Sequence, residues 1–419
     1  MQGLMDCIAG GIRNSIENPA VPLTDERVLD YLGGNLATDS GVSVTGEKVL
    51  GLPAVWRAGN VIANDVGRIG IQVMRRQDDD TKVPAKDHAA YGLLRRIANR
   101  ALFLSPMMFR KMLQLHAIYR GNGYAWIVRE GRRRGAPPAA LVPLPPTPIT
   151  TPMMADGELW YSTTVNDQQV AIRAEDVIHI RFCPYGDLES LDVLSVMANA
   201  FGLEIAQHTH AEKHFSRGTN SVGFLTAPSR VQPEELEKIR SNWRRMQTGL
   251  DKMHDISVLS GGMTFQPLSV DPQKAQLLES RKFGLVEIAN IFLLPPHKLG
   301  ETTRTSFASL EQENADYLQT TIDPWFVTWE QELWAKLLSQ AEQEADEIVI
   351  EYNRKETLRV DFAARVAGYA RLKETGNITG NQIAAAENMP PQGPKGDRIY
   401  IPLNWTAVDE QGLPTGSPQ

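Results

Sequence analysis

Cysteine is almost missing from this 419-residue chain. Its two copies, Cys7 and Cys183, stand far apart and form no CxxC pair, so neither a disulfide framework nor a cysteine zinc site is expected, and both read as reduced thiols. Long apolar runs are missing too: no segment approaches the roughly 18 uninterrupted apolar residues of a membrane span, so no membrane partner is expected. The opening stretch MQGLMDCIAGGIRNSIENPA lacks a basic start, an apolar block and a small-residue cleavage site. It reads as no secretion signal, which leaves synthesis in the cytoplasm as the expectation. A surplus of basic charge is absent as well. The formal charge of −7 argues against a broad basic grip on nucleic acid, yet suits a surface past which nucleic acid slides, because strong phosphate neutralisation would oppose movement.

Catalytic signatures are equally sparse. There is no GxxxxGK[ST] phosphate loop, no HExxH and no GxSxG; GNGYAW (121–126) fails GxGxxG and precedes a strand rather than following one. Catalytic groups need not be local in sequence, so a hydrolase with a non-local site around His179 or His208 stays open as an alternative. In HTHAEKH only His210 and His214 share a helical face, one ligand short of a metal site, so no metal and no cofactor are expected. His179, in DVIHI, reads as a half-buried strand residue. Trp325, Trp329 and Trp334 lie near helical spacing and read as core rather than a stacking platform for bases.

What is present is a globular composition, 42% hydrophobic and 22% charged, on a chain long enough for several domains. Residues 1–45 read as a flexible arm. Leu52, Val55, Gly59, Ile62 and Val66 step by three and four, predicting a helix over 50–66, and Ile69, Ile71 and Val73 alternate as a strand. A helix over 88–98, another opened by Ser105-Pro106 and ended near Gly121-Asn122-Gly123, and strands at 124–128, 140–146, 160–165 and 177–181 complete an α+β body over 46–190. The turn Arg132-Arg133-Arg134 reads as a solvated hairpin tip. A long helix follows at 191–217, then a small βαββ pattern at 218–270 with Gly261-Gly262 at a hairpin turn, then a second long helix within 271–294. Both long helices carry narrow apolar stripes. These point to contact between neighbouring copies through Leu194, Phe201, Ile205, Leu278, Leu285 and Ile288, so Phe201→Asp is expected to weaken assembly.

Residues 295–357 open with the hydroxyl-rich run Thr302-Thr303-Arg304-Thr305-Ser306. A long helix with a capping pattern at Ser309-Leu310-Glu311-Gln312 and a kink predicted at Pro324 comes next, then a strand at 348–353. Eight acidic residues face two basic ones across 301–343. Two helices, the second capped by Thr379-Gly380-Asn381-Gln382, fill 358–405, and 406–419 reads as a disordered tail.

The ordered set LGLPAVWRAGNVIANDVGRIGIQV, HAAYGLLRRIAN, GNGYAWIVR with ALVPLPP, EDVIHIRF, VLSGGMTFQPLSVDPQKAQLLESRKFGLVEIANIFLLPPHKLG and NITGNQIAAAENMPP, spread over about 45–405, resembles the portal proteins of tailed bacteriophages, in the short branch typical of long-tailed phages. Two departures stand out: Ala98-Asn99 where the family usually has Pro-Asn, and Ser190-Leu191-Asp192-Val193 where it often has a Gly-x-Ser-Pro turn. The resemblance implies an elongated α+β subunit with a wing (46–190), a stem of two helices (191–217 and 271–294), a small α/β clip (218–270), a channel loop within 295–357 and a helical crown (358–405), assembled into a ring usually of twelve. Such a ring sits at one capsid vertex of the virion and passes double-stranded DNA inward during packaging and outward during ejection. It implies no enzyme, since ATP hydrolysis belongs to a separate terminase. Partners implied are further copies of the chain, DNA held weakly and without sequence preference at Thr302, Thr303, Arg304, Thr305 and Ser306, the terminase large subunit, the major capsid protein and a head-completion adaptor. Docking is expected on the clip at Glu234, Glu237, Arg240 and Arg244. The competing reading is an assembly adaptor that encloses no DNA; it needs neither stem nor clip.

Overall fold

The computed structural model describes residues 36–38, 43–78, 81–131, 135–165, 168–186, 188–216, 223–226, 264–267, 273–300, 307–354, 362–387 and 389–399, with single positions between 232 and 241. The chain divides into two compact units, Met1–Asn353 and Arg354–Gln419.

In the first unit a short ladder of β1 (Leu36–Ala37) and β2 (Ser43–Val44) leads into α1 (Gly46–Leu50), capped by Thr45. Helix α2 (Pro53–Arg68) starts at Pro53, whose fixed φ suits a first turn, and buries Val55, Ala58, Gly59, Ile62, Ala63 and Val66 on one face. Strands β3 (Ile71–Arg76) and β4 (Lys82–Pro84) and helix α3 (Ala89–Arg95) follow. Helix α4 (Pro106–Arg120) begins where Ser105-Pro106 predicts, with the Ser105 hydroxyl accepting the Met108 N–H at 3.3 Å. It ends at Gly121, whose φ of +75° is left-handed and whose Cβ, if present, would lie 2.1 Å from the Leu191 carbonyl. GNG is therefore a helix stop that feeds directly into a strand.

Strands β5 (Asn122–Arg129), β6 (Pro138–Pro143), β7 (Thr151–Ala155), β8 (Glu158–Val165), β9 (Gln168–Arg173) and β10 (Val177–Arg181) make two antiparallel sheets, ordered β10-β5-β6 and β7-β8-β9. The sequence reading missed β4, β7 and β9. All three residues of β4 are exposed, none of β7 is buried, and β9 buries only Ile172, so none carries a clear alternating apolar face.

The expected single helix over 191–217 is broken. Asp192 accepts the Leu194 N–H at 3.0 Å and starts the short α5 (Val193–Val196), Met197 leaves helical geometry, and α6 (Ala198–Ser216) begins afresh. Strands β11 (Gly223–Thr226) and β12 (Thr264–Pro267) pair antiparallel, and α7 (Gln273–Ile291) is the second long helix. Of the helix expected from Pro233-Glu234, only Glu235, Glu237, Lys238, Ile239 and Ser241 are described, and they are helical; the DISVLSG strand and the Gly261-Gly262 turn lie outside the described residues.

A 3₁₀ turn (Pro296–Leu299) precedes α8 (Phe307–Tyr317), whose start places Ser309 inside the helix rather than at its cap, correcting the capping pattern read there. Where a kink is predicted at Pro324, a π-helical turn, Leu318–Ile322, lies between α8 and α9 (Asp323–Leu337). Proline cannot bond the carbonyl one turn back, and a widened turn accommodates the gap. Helix α10 (Gln340–Ala345) then leads to β13 (Ile348–Tyr352), which returns to pair with β3 in the order β13-β3-β4, Ile350 opposite Val73.

Two glutamates of α9 tie it to two sheets. Glu332 accepts the backbone N–H of His179 at 2.9 Å on β10, and Glu330 accepts that of Tyr352 at 2.6 Å on β13. Both strands are the outer members of their sheets, so each exposed edge finds an acceptor on the helix instead of a further strand. Trp329 is fully buried, donates to Gln114 Oε1 at 2.8 Å and meets Phe109 edge to face at 6.3 Å; Trp325 is buried beside it, as the core reading expects. Arg110 is buried as well, its guanidinium donating to the carbonyls of Gly67 (2.6 Å), Ile69 (3.2 Å) and Leu94 (3.4 Å), and so gathers the C-terminal ends of α2 and α3.

The second unit contains α11 (Phe362–Glu374) and α12 (Gly380–Ala386). The capping box predicted at Thr379 is present, Thr379 and Gln382 exchanging backbone and side-chain bonds at 3.2 and 2.8 Å. Arg365 grips Glu387 with two bonds, at 3.1 and 3.2 Å, and holds that carboxyl below its ordinary range.

Candidate functional site

The residues expected to face a neighbouring copy lie mostly inside the subunit. Leu194, Phe201 and Ile288 are buried in the main core, with Phe201 stacked on Phe292 (6.4 Å between centroids) and Phe292 edge-on to Tyr119 (6.1 Å). Ile205 and Leu285 are half-buried against the same core; the Leu278 side chain lies outside the described residues. Helix α7 packs on α2 and on α6, and α6 on α1 and β2, so Leu194, Phe201 and Ile288 serve the subunit's own core, which corrects their assignment as contacts between copies. Large apolar side chains left in solvent by these helices include Leu203 and Phe283.

The run Thr302, Thr303, Arg304, Thr305 and Ser306 lies outside the described residues, but both of its flanks are anchored. His297 Nδ1 lies 2.7 Å from Glu313 Oε2, and Lys298 Nζ donates to Asn314 Oδ1 at 2.7 Å while sitting 4.5 Å from the centre of the Tyr317 ring. Tyr317 in turn donates to Asp65 Oδ2 (2.9 Å) on α2, and Arg57, also on α2, donates to the Lys298 carbonyl (2.6 Å). Burial lowers the Lys298 pKa; burial and the Asp65 charge raise that of Tyr317. Both flanks of the run are thus tied to α2.

Of the residues expected to dock partners, Glu237 is exposed, while Glu234, Arg240 and Arg244 lie outside the described residues, as do Arg132, Arg133 and Arg134. His179 is more buried than the half-buried reading, at 7% exposure, and is held between partners. Asn122 Oδ1 can only accept, so His179 Nε2 donates to it (2.9 Å), which leaves Nδ1 to accept from the Tyr161 hydroxyl (3.1 Å). Burial, with Arg181 and Lys336 adding to it, pushes the pKa of His179 down to about 3. A neutral imidazole with both nitrogens engaged is a packing element, and no proton leaves it near neutral pH. Among the described residues no group of three His, Cys, Asp or Glu is placed to hold a metal ion, and no helix is long and apolar enough to cross a membrane. His208 is half-buried, and the side chains of His210 and His214 lie outside the described residues.

The family model described as "Phage portal protein" matches residues 53–388. The portal protein of Enterobacteria phage HK97 is 25% identical over 401 residues, covering 91% of this chain and 92% of its own length. A probable portal protein of Streptomyces phage phiC31 is 28% identical over 245 residues, 57% of this chain and 53% of its own. Among solved structures, the neck of a native gene transfer agent particle computed with C12 symmetry aligns with a TM-score of 0.53 at 18% identity, covering 82% of this chain and 92% of its own. An HK97-family phage portal protein from Corynebacterium diphtheriae aligns with a TM-score of 0.52 at 14% identity, covering 78% and 98%. The match runs from α2 through both long helices and α9 to the end of α12, and on that span the chain belongs to the phage portal protein family.

Proposed function

We propose that this chain assembles into a ring of twelve at one capsid vertex of a virion and forms the channel through which double-stranded DNA enters during packaging and leaves during ejection. In this reading residues 46–190 are the wing, α6 and α7 the stem, 218–270 the clip and 358–405 the crown. The clip receives the terminase large subunit and a head-completion adaptor, and the major capsid protein surrounds the ring. The observation that carries the reading is the near end-to-end correspondence with a portal protein, 91% of one chain against 92% of the other. The anchored flanks of 301–306 support a channel-facing role for that run. Threonine and serine hydroxyls with one arginine contact phosphate weakly, and the acidic surroundings keep the attraction reversible.

Light scattering after size exclusion tests the ring. Twelve copies of the 46.5 kDa chain give about 560 kDa, and negative-stain images should show closed rings. A particle that stays a single subunit even when co-expressed with its capsid protein would favour the adaptor that encloses no DNA. Deleting 302–306 is expected to leave the ring intact and reduce packaged or retained DNA; normal packaging by that deletion would remove the loop's role.

A further inference from the structure

Residues 88–129 hold seven Lys or Arg and no Asp or Glu, in a chain whose formal charge is −7. Three of the seven act inside the fold: Arg110 on backbone carbonyls, Arg120 on Asp192 and Arg129 on Asp176. Arg95, Arg96 and Arg100 are exposed, at the end of α3 and on the turn that leads to α4. That turn also puts Phe103 into solvent at 88% exposure, with a φ of +50° that a bulky side chain rarely adopts. The ring is held there. Asn99, itself buried, exchanges backbone bonds with Leu104 (3.3 and 3.0 Å), accepts the Leu102 N–H on its side-chain oxygen (3.1 Å) and donates to the Leu141 carbonyl of β6 (3.2 Å). A turn so firmly fixed around an exposed aromatic in a sparsely populated conformation points to a use for that ring outside the subunit's own core.

The first turns of α4 continue the patch. Met107, Met108 and Met112 are 40%, 50% and 37% exposed, and Met108 and Met112 stand one turn apart on one face, while Phe109 and Leu113 fill the core on the other. A Cβ at Gly67 would fall 3.1 Å from the Met107 carbonyl, so the end of α2 adjoins this corner; its Asp65 is paired with Arg68 at 3.1 Å and brings no unmatched negative charge. Phenylalanine and methionine at the centre with arginine at the margin have the composition of an interface core and its rim. Methionine adapts its shape to whatever it meets. Duplex DNA offers phosphates to the arginines but nothing apolar to the four central side chains. A helix with an apolar stripe flanked by carboxylates matches both parts of the surface.

We infer that the start of α4 and the turn before it form a docking surface for an acidic amphipathic helix of another protein, whose apolar stripe packs on Phe103, Met108 and Met112 and whose carboxylates face Arg95, Arg96 and Arg100. The inference does not rest on ring formation.

Two synthetic helical peptides with the same leucine stripe, one carrying glutamate and the other lysine on its remaining positions, are titrated with the full-length chain and followed by fluorescence anisotropy at about 50 and about 500 mM NaCl. The glutamate peptide is expected to bind, at least about tenfold more weakly at the higher salt, and the lysine peptide to stay free. Phe103→Gly, which suits a positive φ, and the double variant Met108→Gln with Met112→Gln should each lose at least about tenfold in affinity while unfolding no earlier than the parent, since these side chains support nothing inside the subunit. Arg95→Gln with Arg100→Gln should weaken binding and flatten its dependence on salt. A glutamate peptide that does not bind, equal affinity for the two peptides, or variants that bind as the parent does would overturn the inference. Duplex DNA or phosphatidylglycerol vesicles that displace the glutamate peptide from the parent and lose their own binding in Phe103→Gly would overturn it too, by assigning the patch to nucleic acid or lipid. Protection of Met108 and Met112 from peroxide in assembled rings, absent in dissociated subunits, would assign it to a second copy of the chain and overturn it likewise.

Discussion

Arg110→Met is expected to lower the unfolding free energy of the subunit by about 3–5 kcal/mol, the usual cost of removing one member of a buried charged network. Methionine keeps most of the apolar length of the side chain, so the loss isolates the guanidinium. Without it the carbonyls of Gly67, Ile69 and Leu94 are left where the Arg110 side chain is 3% exposed and little solvent enters to replace its bonds. The effect is large because one cation terminates two helices: the negative ends of the α2 and α3 dipoles converge on it. Arg110→Lys should recover part of the loss, since an ammonium reaches fewer of the three acceptors than the guanidinium fork does. Urea unfolding of dissociated subunits measures both variants. A methionine variant within about 1 kcal/mol of the parent would show that other groups satisfy those carbonyls.

The second large effect concerns Phe201. Its side chain has no exposed surface and stacks on Phe292, so Phe201→Asp should prevent folding of the subunit rather than selectively block assembly. Truncating a buried phenylalanine already costs about 3–5 kcal/mol, and the aspartate adds an unpaired charge in the core. Loss of soluble protein is the expected readout. Phe201→Leu, which keeps most of the volume, should fold with a loss below about 1.5 kcal/mol and assemble as the parent does. A well-folded Phe201→Asp subunit that no longer makes rings would restore the reading of this residue as a contact between copies.

The amphipathic period of α2, the Ser105-Pro106 start of α4, the Thr379 capping box and the glycine stop at 121 were legible because each signal is local: the residues that make it lie within a turn or two of one another. The split of the long helix at Met197 was not, since Leu194, Ala198, Phe201 and Ile205 keep a three-and-four spacing across the break. Nothing nearby in the sequence announces that Asp192 caps one short helix and also pairs with Arg120 at 2.9 Å. Strands without a buried face escaped for the same reason.

A narrow stripe states that a helix has one dry side and leaves open what covers it. The sequence by itself determined the elements that carry a clear apolar face, the α+β body, the order of pieces that resembles a portal subunit and the acidic setting of the 302–306 run, all of which follow from residue spacing and charge. The tertiary structure decided what each apolar or ionisable side chain meets: that Phe201 and Ile288 face their own core, that Glu330 and Glu332 of one helix hold the edges of two sheets, that His179 is locked neutral, and that Glu204 is left over Gly284 with an unpartnered oxygen. Those outcomes depend on contacts between residues up to some 150 positions apart, as from His179 to Glu332. Burial and hydrogen-bond satisfaction belong to such contacts, and a period or a motif within one segment does not contain them.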